Sequence, residues 1–133
     1  MERAMIPKYR AWNKATKEMH EVDDIVSIDF EKKQICVKTL FFDQLNHYDF
    51  NDVVLMQSTG LRDKNGKEIF EGDIVKMAKN VYSELTYYEV VRHRGGAYRL
   101  ESKRHGCELW LRHTDCEIAG NIWVNPELLE VKQ

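Results

Sequence analysis

Residues Thr86 to Ser102 constrain the fold of this chain more than any other stretch. Two runs rich in β-branched and aromatic residues, TYYEVVRHR and AYRLES, flank Gly95-Gly96. Paired glycines reach the positive φ that a two-residue I′ or II′ connection needs, so the segment predicts a β-hairpin. With Arg94 opposite Ala97, cross-strand pairing puts His93 with Tyr98 and Val91 with Leu100 on one face. The other face then holds Arg92 with Arg99 and Val90 with Glu101. One face is core-like and the other basic.

The same pattern of short apolar runs and polar turns recurs along the chain. YRAWNKATKEM, Tyr9 to Met19, has a polar centre between two potential strands and predicts a hairpin anchored by Tyr9 and Trp12, with a short helix as the competing reading. IVSIDFEKKQICVKTLFF alternates on both sides of Glu31–Gln34, with Ile28 and Phe30 before the turn and Ile35, Val37 and Thr39 after it. VVLMQS reads as a strand ending at Thr59-Gly60. Asn65-Gly66 and Glu71-Gly72-Asp73 then mark turns, the second placed directly before the buried pair Ile74 and Val75. A polar turn, Gly-Asp and an alternating strand in sequence also open SH3-like barrels. CELWLRH reads as a strand with Leu109 and Leu111 on one side and Trp110 on the other. CEIAGNIWV predicts the last long strand, with a bulge at Gly120, ended by Asn125-Pro126. Pro126 to Leu129 fits the first turn of a short helix with Asn125 as N-cap and Pro126 at N1.

These elements predict a mainly β protein with at most short helices. Residues 1–50 form an N-terminal β-hairpin region, packed on a SH3-like or related small barrel over residues 51–133, the two being one continuous domain in the alternative reading. A length of 133 residues with 43% hydrophobic content suffices for a core, and 32% charged residues gives a well-solvated surface. No apolar run is long enough for a membrane-spanning helix, and Met1 to Arg10 has no signal-peptide character, which places the protein in the cytoplasm. There Cys36, Cys107 and Cys116 are expected to be reduced thiols.

The net charge of −2 gives no global attraction to nucleic acid or anionic lipid, but its distribution is uneven. Thr86 to His113 carries six basic residues, Arg92, Arg94, Arg99, Lys103, Arg104 and Arg112, against three acidic ones. Thr114 to Gln133 carries one against four.

LMQSTGLRDKNGKEIFEGDIV, Leu55 to Val75, resembles the central signature of the YopX family. MIPKYRAWNKATKEM near the start and EIAGNIWVNPELL near the end agree with it, in the family's order and across most of the chain. The resemblance implies a β-rich fold, a phage or prophage origin and residence in the bacterial cytoplasm; it supplies no activity and no catalytic residue. Met1 to Ala4 precede the family's usual start near Met5, and Ser58 stands where the pattern has a bulkier residue. Physically the matching residues read as architecture. Trp12, Gly60, Leu61, Gly66, Gly72, Asp73, Ile74, Val75, Gly120, Asn121 and Pro126 are turn formers and core fillers, with Ile69 beside them.

Candidate chemistry is sparse. His105, Cys107, His113 and Cys116 bring four zinc-type ligands within twelve residues, but the spacing is not that of a zinc knuckle, which favours core thiols and surface imidazoles. Asp63-Lys64-Asn65-Gly66 echoes part of a calcium loop without its later ligands, so a turn is the better reading. Glu71 and Asp73 around Gly72 read as a solvated turn before they read as an acid and base pair. No catalytic residue, cofactor or metal is therefore assigned.

The basic hairpin has the strongest functional pull. Arg92 opposite Arg99 would call for an anion or an acidic partner, with Arg94, Lys103, Arg104 and Arg112 nearby and Tyr88 and Trp110 as stacking surfaces. Competing with that are a solvated edge interleaved with Glu89, Glu101 and Glu108, and pairing of this basic segment with another copy's acidic tail. The sequence thus predicts a non-catalytic binding or assembly module whose partner is a protein or its own copies. A nucleic-acid-binding module is the alternative, and a zinc-dependent enzyme comes third.

Overall fold

A computed structural model describes residues 8–38, 44–78 and 82–130. The fold is β-rich, with a curled, half-barrel sheet. It divides into two compact units, Met1–Gln57 and Ser58–Gln133.

The first unit begins with the predicted hairpin, β1 (Tyr9–Asn13) and β2 (Glu18–His20). Asn13 sets its turn: the side chain is fully buried, and Oδ1 accepts the Ala15 and Thr16 N–H groups at 3.0 and 3.1 Å. An Asx acceptor of this kind satisfies turn amides and explains why the helical reading loses. β3 (Ile25–Asp29) and β4 (Gln34–Lys38) form the second hairpin, pairing Ile28 with Ile35. Phe30 is not a strand residue as expected. It lies in the turn, where Asp29 Oδ1 accepts the Glu31 and Lys32 N–H groups, and its ring meets Tyr9 and Phe50 edge-on. Thr39 falls outside the described residues.

β5 (Leu45–Asp49) pairs with β4 and was not foreseen. Its half-buried positions are Asn46 and Tyr48, whereas Leu45 is exposed, so apolar alternation carries no signal there. β6 (Val53–Arg62) pairs its first five residues with β1. Ala11, Ile35, Val37 and Val53 form this unit's core, with Ile25, Ile28, Tyr48, Phe50 and Leu55 packed on it.

In the second unit β6 does not stop at Thr59-Gly60. It continues to Arg62 and pairs with β7 (Glu68–Phe70), Ser58 opposite Phe70 and Arg62 opposite Glu68. Four steps on β6 against two on β7 make a bulge, and Gly60, with φ +76°, is its left-handed residue rather than a terminator. Ser58 Oγ donates to Glu68 and accepts the Gly60 N–H, so the small residue at this position holds the bulge.

After the turn at Gly72 come β8 (Asp73–Ala78), β9 (Leu85–Arg92), β10 (Tyr98–Glu101), β11 (Gly106–Glu108) and β12 (Glu117–Asn121). They form one antiparallel sheet in the order β11-β10-β9-β8-β12. Ile69, Val75, Met77, Tyr88, Val90, Leu100, Leu109 and Cys116 make its core.

Three further expectations change here. LWLR is not strand: β11 ends at Glu108, and Leu109–Arg112 turns as a single helical turn, α1, that sends only Leu109 into the core. β12 ends at Asn121, earlier than predicted, because Asn121 Oδ1 accepts the Trp123 and Val124 N–H groups and turns the chain. The bulge at Ile118/Gly120 is present. Pro126–Leu129 is a 3-10 turn with Pro126 in its first turn, but Asn125 turns its side chain back to the Asn121 N–H instead of capping it.

Candidate binding surfaces

The register of the β9–β10 hairpin decides what its basic residues do. The ladder pairs Tyr98 with Arg92, Arg99 with Val91, Leu100 with Val90 and Glu101 with Glu89. This is one residue away from the expected pairing. The loop holds three residues, Arg94–Gly96, closed by the His93 N–H donating to the Ala97 carbonyl at 2.8 Å. Gly95 and Gly96 take the positive φ that the sequence predicted, yet the extra loop residue moves every side chain to a new neighbour. Arg92 and Arg99 therefore lie on opposite faces of the sheet and do not confront each other.

Arg99 is instead neutralised where it stands. It lies directly opposite Glu108 on β11, donates to that carboxylate, and has Nε 3.6 Å from Glu101. Glu101 also meets His93 Nε2 at 2.6 Å. The like-charge cross-strand pair is acidic: Glu89 opposite Glu101. Burial, and then the Glu101 charge, push the Glu89 carboxyl above its ordinary range. Arg112 is held by Asp115 at 2.9 Å and by the Ala78 carbonyl at 3.1 Å.

Lys103, Arg104 and His105 stand exposed in the β10–β11 turn, at the end of β10 away from Arg92 and Arg94. Tyr88, proposed as a stacking surface, is only 2% exposed and belongs to the core. Trp110 is 64% exposed beside Leu111 at 58%, so it remains an available ring. The basic residues are thus spread over two ends and both faces of a short hairpin.

The zinc-type ligands are otherwise engaged. Cys116 is fully buried, its Sγ donates to the His113 carbonyl at 3.2 Å, and burial pushes its thiol up to about 12. His113 Nδ1 donates to the Arg62 carbonyl at 2.7 Å. Cys107 is half-buried against the core, where burial raises its thiol as well, and His105 is exposed on a turn. Among the described residues no three His, Cys, Asp or Glu side chains are grouped as a metal site.

The signature turn holds two buried carboxylates. Asp63 Oδ1 accepts the Asn65 and Lys67 N–H groups and Oδ2 accepts that of Ile118, all at 2.9 Å. Burial alone would raise its carboxyl, but these three backbone donors outweigh it and hold the group below the ordinary range. With both oxygens saturated, the segment is a turn fastened to β12 and not a calcium loop. Asp73, read from the sequence as half of a solvated turn, is buried and accepts the Phe70 N–H at 2.8 Å. Gly72 donates to the Val90 carbonyl and accepts from Ile122, locking the same turn to β9 and to the chain beyond β12.

A surface missed from the sequence lies in the first unit. Among the described residues β3 is an edge strand, paired only with β4 in its sheet. Beside it a shallow groove of about 360 Å³ is lined by Lys8, Tyr9, Val22, Ile25–Ile28 and Phe30. Val26 and Phe30 remain 50% and 60% exposed there. The available signal was the five large apolar residues between Val22 and Phe30, of which β3 itself carries Ile25, Val26 and Ile28.

Among the described residues no helix is long and apolar enough to cross a membrane. No curated protein matches the chain. Two crystal structures of similar proteins match over nearly all of both chains. Protein EF1440 from Enterococcus faecalis is 31% identical, with 96% of this chain and 100% of that one covered and a TM-score of 0.65. Protein yopX from Bacillus subtilis is 24% identical, covers 92% and 98%, and has a TM-score of 0.68, which shows the shared fold. The family model described as YopX protein matches residues 8–130, and the chain therefore belongs to the YopX family.

Proposed function

We propose that this chain is a non-catalytic binding or assembly module of a phage accessory kind, acting on another protein or on its own copies through exposed strand edges and charged surfaces. The observation that carries this reading is the groove beside β3, where large apolar side chains stay exposed along an edge strand. A contiguous apolar patch rimmed by polar residues is the usual mark of a protein contact. In the second unit the saturated carboxylate of Asp63 and the high-pKa thiol of Cys116 support a structural role for the groups that would otherwise invite a chemical one.

Light scattering behind size exclusion, with absorbance at 260 and 280 nm, tests the reading. A mass above 15.8 kDa in nucleic-acid-free protein supports assembly. Co-purifying nucleic acid would favour the alternative, a phosphate contact by Lys103, Arg104 and the exposed ring of Trp110, and its affinity would fall steeply with salt.

A further inference from the structure

We infer that Asn65 is a site of spontaneous covalent modification, in which its side-chain amide is lost by cyclisation onto the Gly66 nitrogen, and that the product loosens the signature turn between β6 and β7. The inference goes beyond the binding reading and does not depend on it.

The residue pair sets the chemistry. Asn65 alone of the chain's asparagines is followed by glycine. Glycine has no Cβ to shield its backbone nitrogen and turns freely in φ, so that nitrogen reaches the preceding side-chain carbonyl more readily than the nitrogen of a residue with a Cβ. The Gly66 nitrogen gives up its proton and bonds to Asn65 Cγ. The Cγ–Nδ2 bond breaks, and ammonia leaves carrying that proton. Water, the only other reactant, then opens the cyclic imide, and nothing is oxidised or reduced. Breaking the new bond from the Gly66 nitrogen to Cγ gives aspartate. Breaking the bond from that nitrogen to the main-chain carbonyl carbon gives isoaspartate, whose backbone runs through Cγ and is longer by one carbon.

The fold leaves the pair accessible but tied. Both residues are exposed, and beyond the chain neighbours nothing lies within 4 Å of where a Gly66 Cβ would stand. The Gly66 N–H donates to the Asp63 carbonyl at 2.9 Å, which occupies the attacking nitrogen, and Arg62 Nη1 donates to the Gly66 carbonyl at 2.8 Å. Asn65 Nδ2 donates to Glu117 Oε1 at 3.2 Å, which holds the leaving group on β12, and Glu117 is itself paired with Lys76 at 3.1 Å. Reaction in the folded chain therefore waits on a local opening of an exposed turn, an event far smaller than global unfolding. The product cannot close the turn in the same way. Three hydrogen bonds span the 65–66 link, each of 2.9 Å: Gly66 N–H to the Asp63 carbonyl, Lys67 N–H to Asp63 Oδ1, and Asp63 N–H to the Lys67 carbonyl. An extra backbone carbon inside that ring breaks their register, and neither acid product has the side-chain N–H that Asn65 donates to Glu117.

Full-length protein incubated for weeks at pH 8, with a parallel sample in urea, tests this. Peptide mass mapping reads the amide-to-acid increment at each asparagine, and enzymatic methylation of isoaspartyl carboxyls reads the lengthened backbone. Conversion at Asn65 should precede conversion at every other asparagine and run about tenfold or more slower in the native chain than in urea. Glu117→Ala should raise the native rate about threefold, the worth of one exposed hydrogen bond, and leave the rate in urea unchanged. The converted chain, separated by its added negative charge, should unfold at a lower urea concentration. A native chain that keeps Asn65 intact while the urea sample converts overturns the inference, as does a converted chain as stable as the original. Gly66→Ala, measured in urea where folding is not at issue, should slow conversion severalfold; an unchanged rate there overturns the cyclisation.

Discussion

Replacing Asp63 with Ala tests whether the family signature is architectural. The substitution removes the acceptor for three backbone N–H groups, those of Asn65, Lys67 and Ile118. A hydrogen bond to a charged group contributes about 1.5–3 kcal/mol, but the loss depends on whether the abandoned donor finds water. Asn65 and Lys67 lie on an exposed turn and will be rehydrated; the Ile118 amide is half-buried in β12 and will not. Charging about 1 kcal/mol for each rehydrated donor and about 2 for the stranded one predicts a destabilisation of about 4 kcal/mol. That is a large part of a typical domain's total stability.

Urea unfolding followed by circular dichroism, with the slope compared between variants, gives the value. The pH dependence supplies a second check. The Asp63 carboxyl is lowered in the fold from an ordinary 3.8, so its stabilisation is fully present above that value and is lost as pH falls through the lower folded value. Asp63→Ala should flatten that part of the acid limb. A loss below about 1 kcal/mol at neutral pH, or an unchanged acid limb, would refute the account of Asp63 as the post that ties the signature turn to β12.

Gly120→Ala should lower the melting temperature markedly, because an added Cβ would lie 2.3 Å from Asn125 Oδ1, 2.7 Å from its Cγ and 2.9 Å from its Cβ. Adding Asn125→Ala removes the two nearest contacts and should recover part of the loss in the same thermal melt. Glu89→Gln should stabilise the protein at pH 7. The folded carboxyl is raised above 4.5, so its penalty is present above the folded value, and the advantage of Gln should disappear below pH 4.5 in urea titrations at the two pH values. Thiol titration with a disulfide reagent at pH 8 should label at most Cys107 quickly in the native chain and all three cysteines in denaturant, since Cys36 and Cys116 are buried. Rapid native labelling of Cys116 would contradict a thiol pushed up to about 12.

Hairpins whose turn chemistry is local were legible. Asn65-Gly66, Gly72-Asp73 and the polar centre of Tyr9–Met19 carry their own instructions, and the structure turns at each. Register was not legible at Gly95-Gly96. Two glycines satisfy a two-residue loop and a three-residue loop equally well, and packing of Val90 and Leu100 into the core chooses between them. LWLR failed for a related reason. Four residues with alternating bulk do not separate a strand from one helical turn, and only the burial of Leu109 settles it. The groove beside β3 was not foreseen because alternation there was followed through Ile28 and Phe30, and Val26, the extra residue of a bulge, falls outside that period.

The candidate site followed the same physics. A carboxylate can be buried in a protein this size only if donors saturate it. In D-x-N-G and G-D the donors are backbone amides of the turn itself, so the acid most suggestive of chemistry in the sequence becomes the one least free to perform it. Asp63 meets that condition and Asp73 accepts the Phe70 N–H, whereas Glu89 is pushed up by burial and by the like charge of Glu101. A like pair facing across a ladder costs stability, and here Arg99 and His93 offset it only through Glu101. The outer face of β9–β10–β11 therefore carries three carboxylates, Glu89, Glu101 and Glu108, against the single guanidinium of Arg99. That excess of acid over base argues against this face as a phosphate contact, even though the segment counts six basic residues against three acidic ones in sequence.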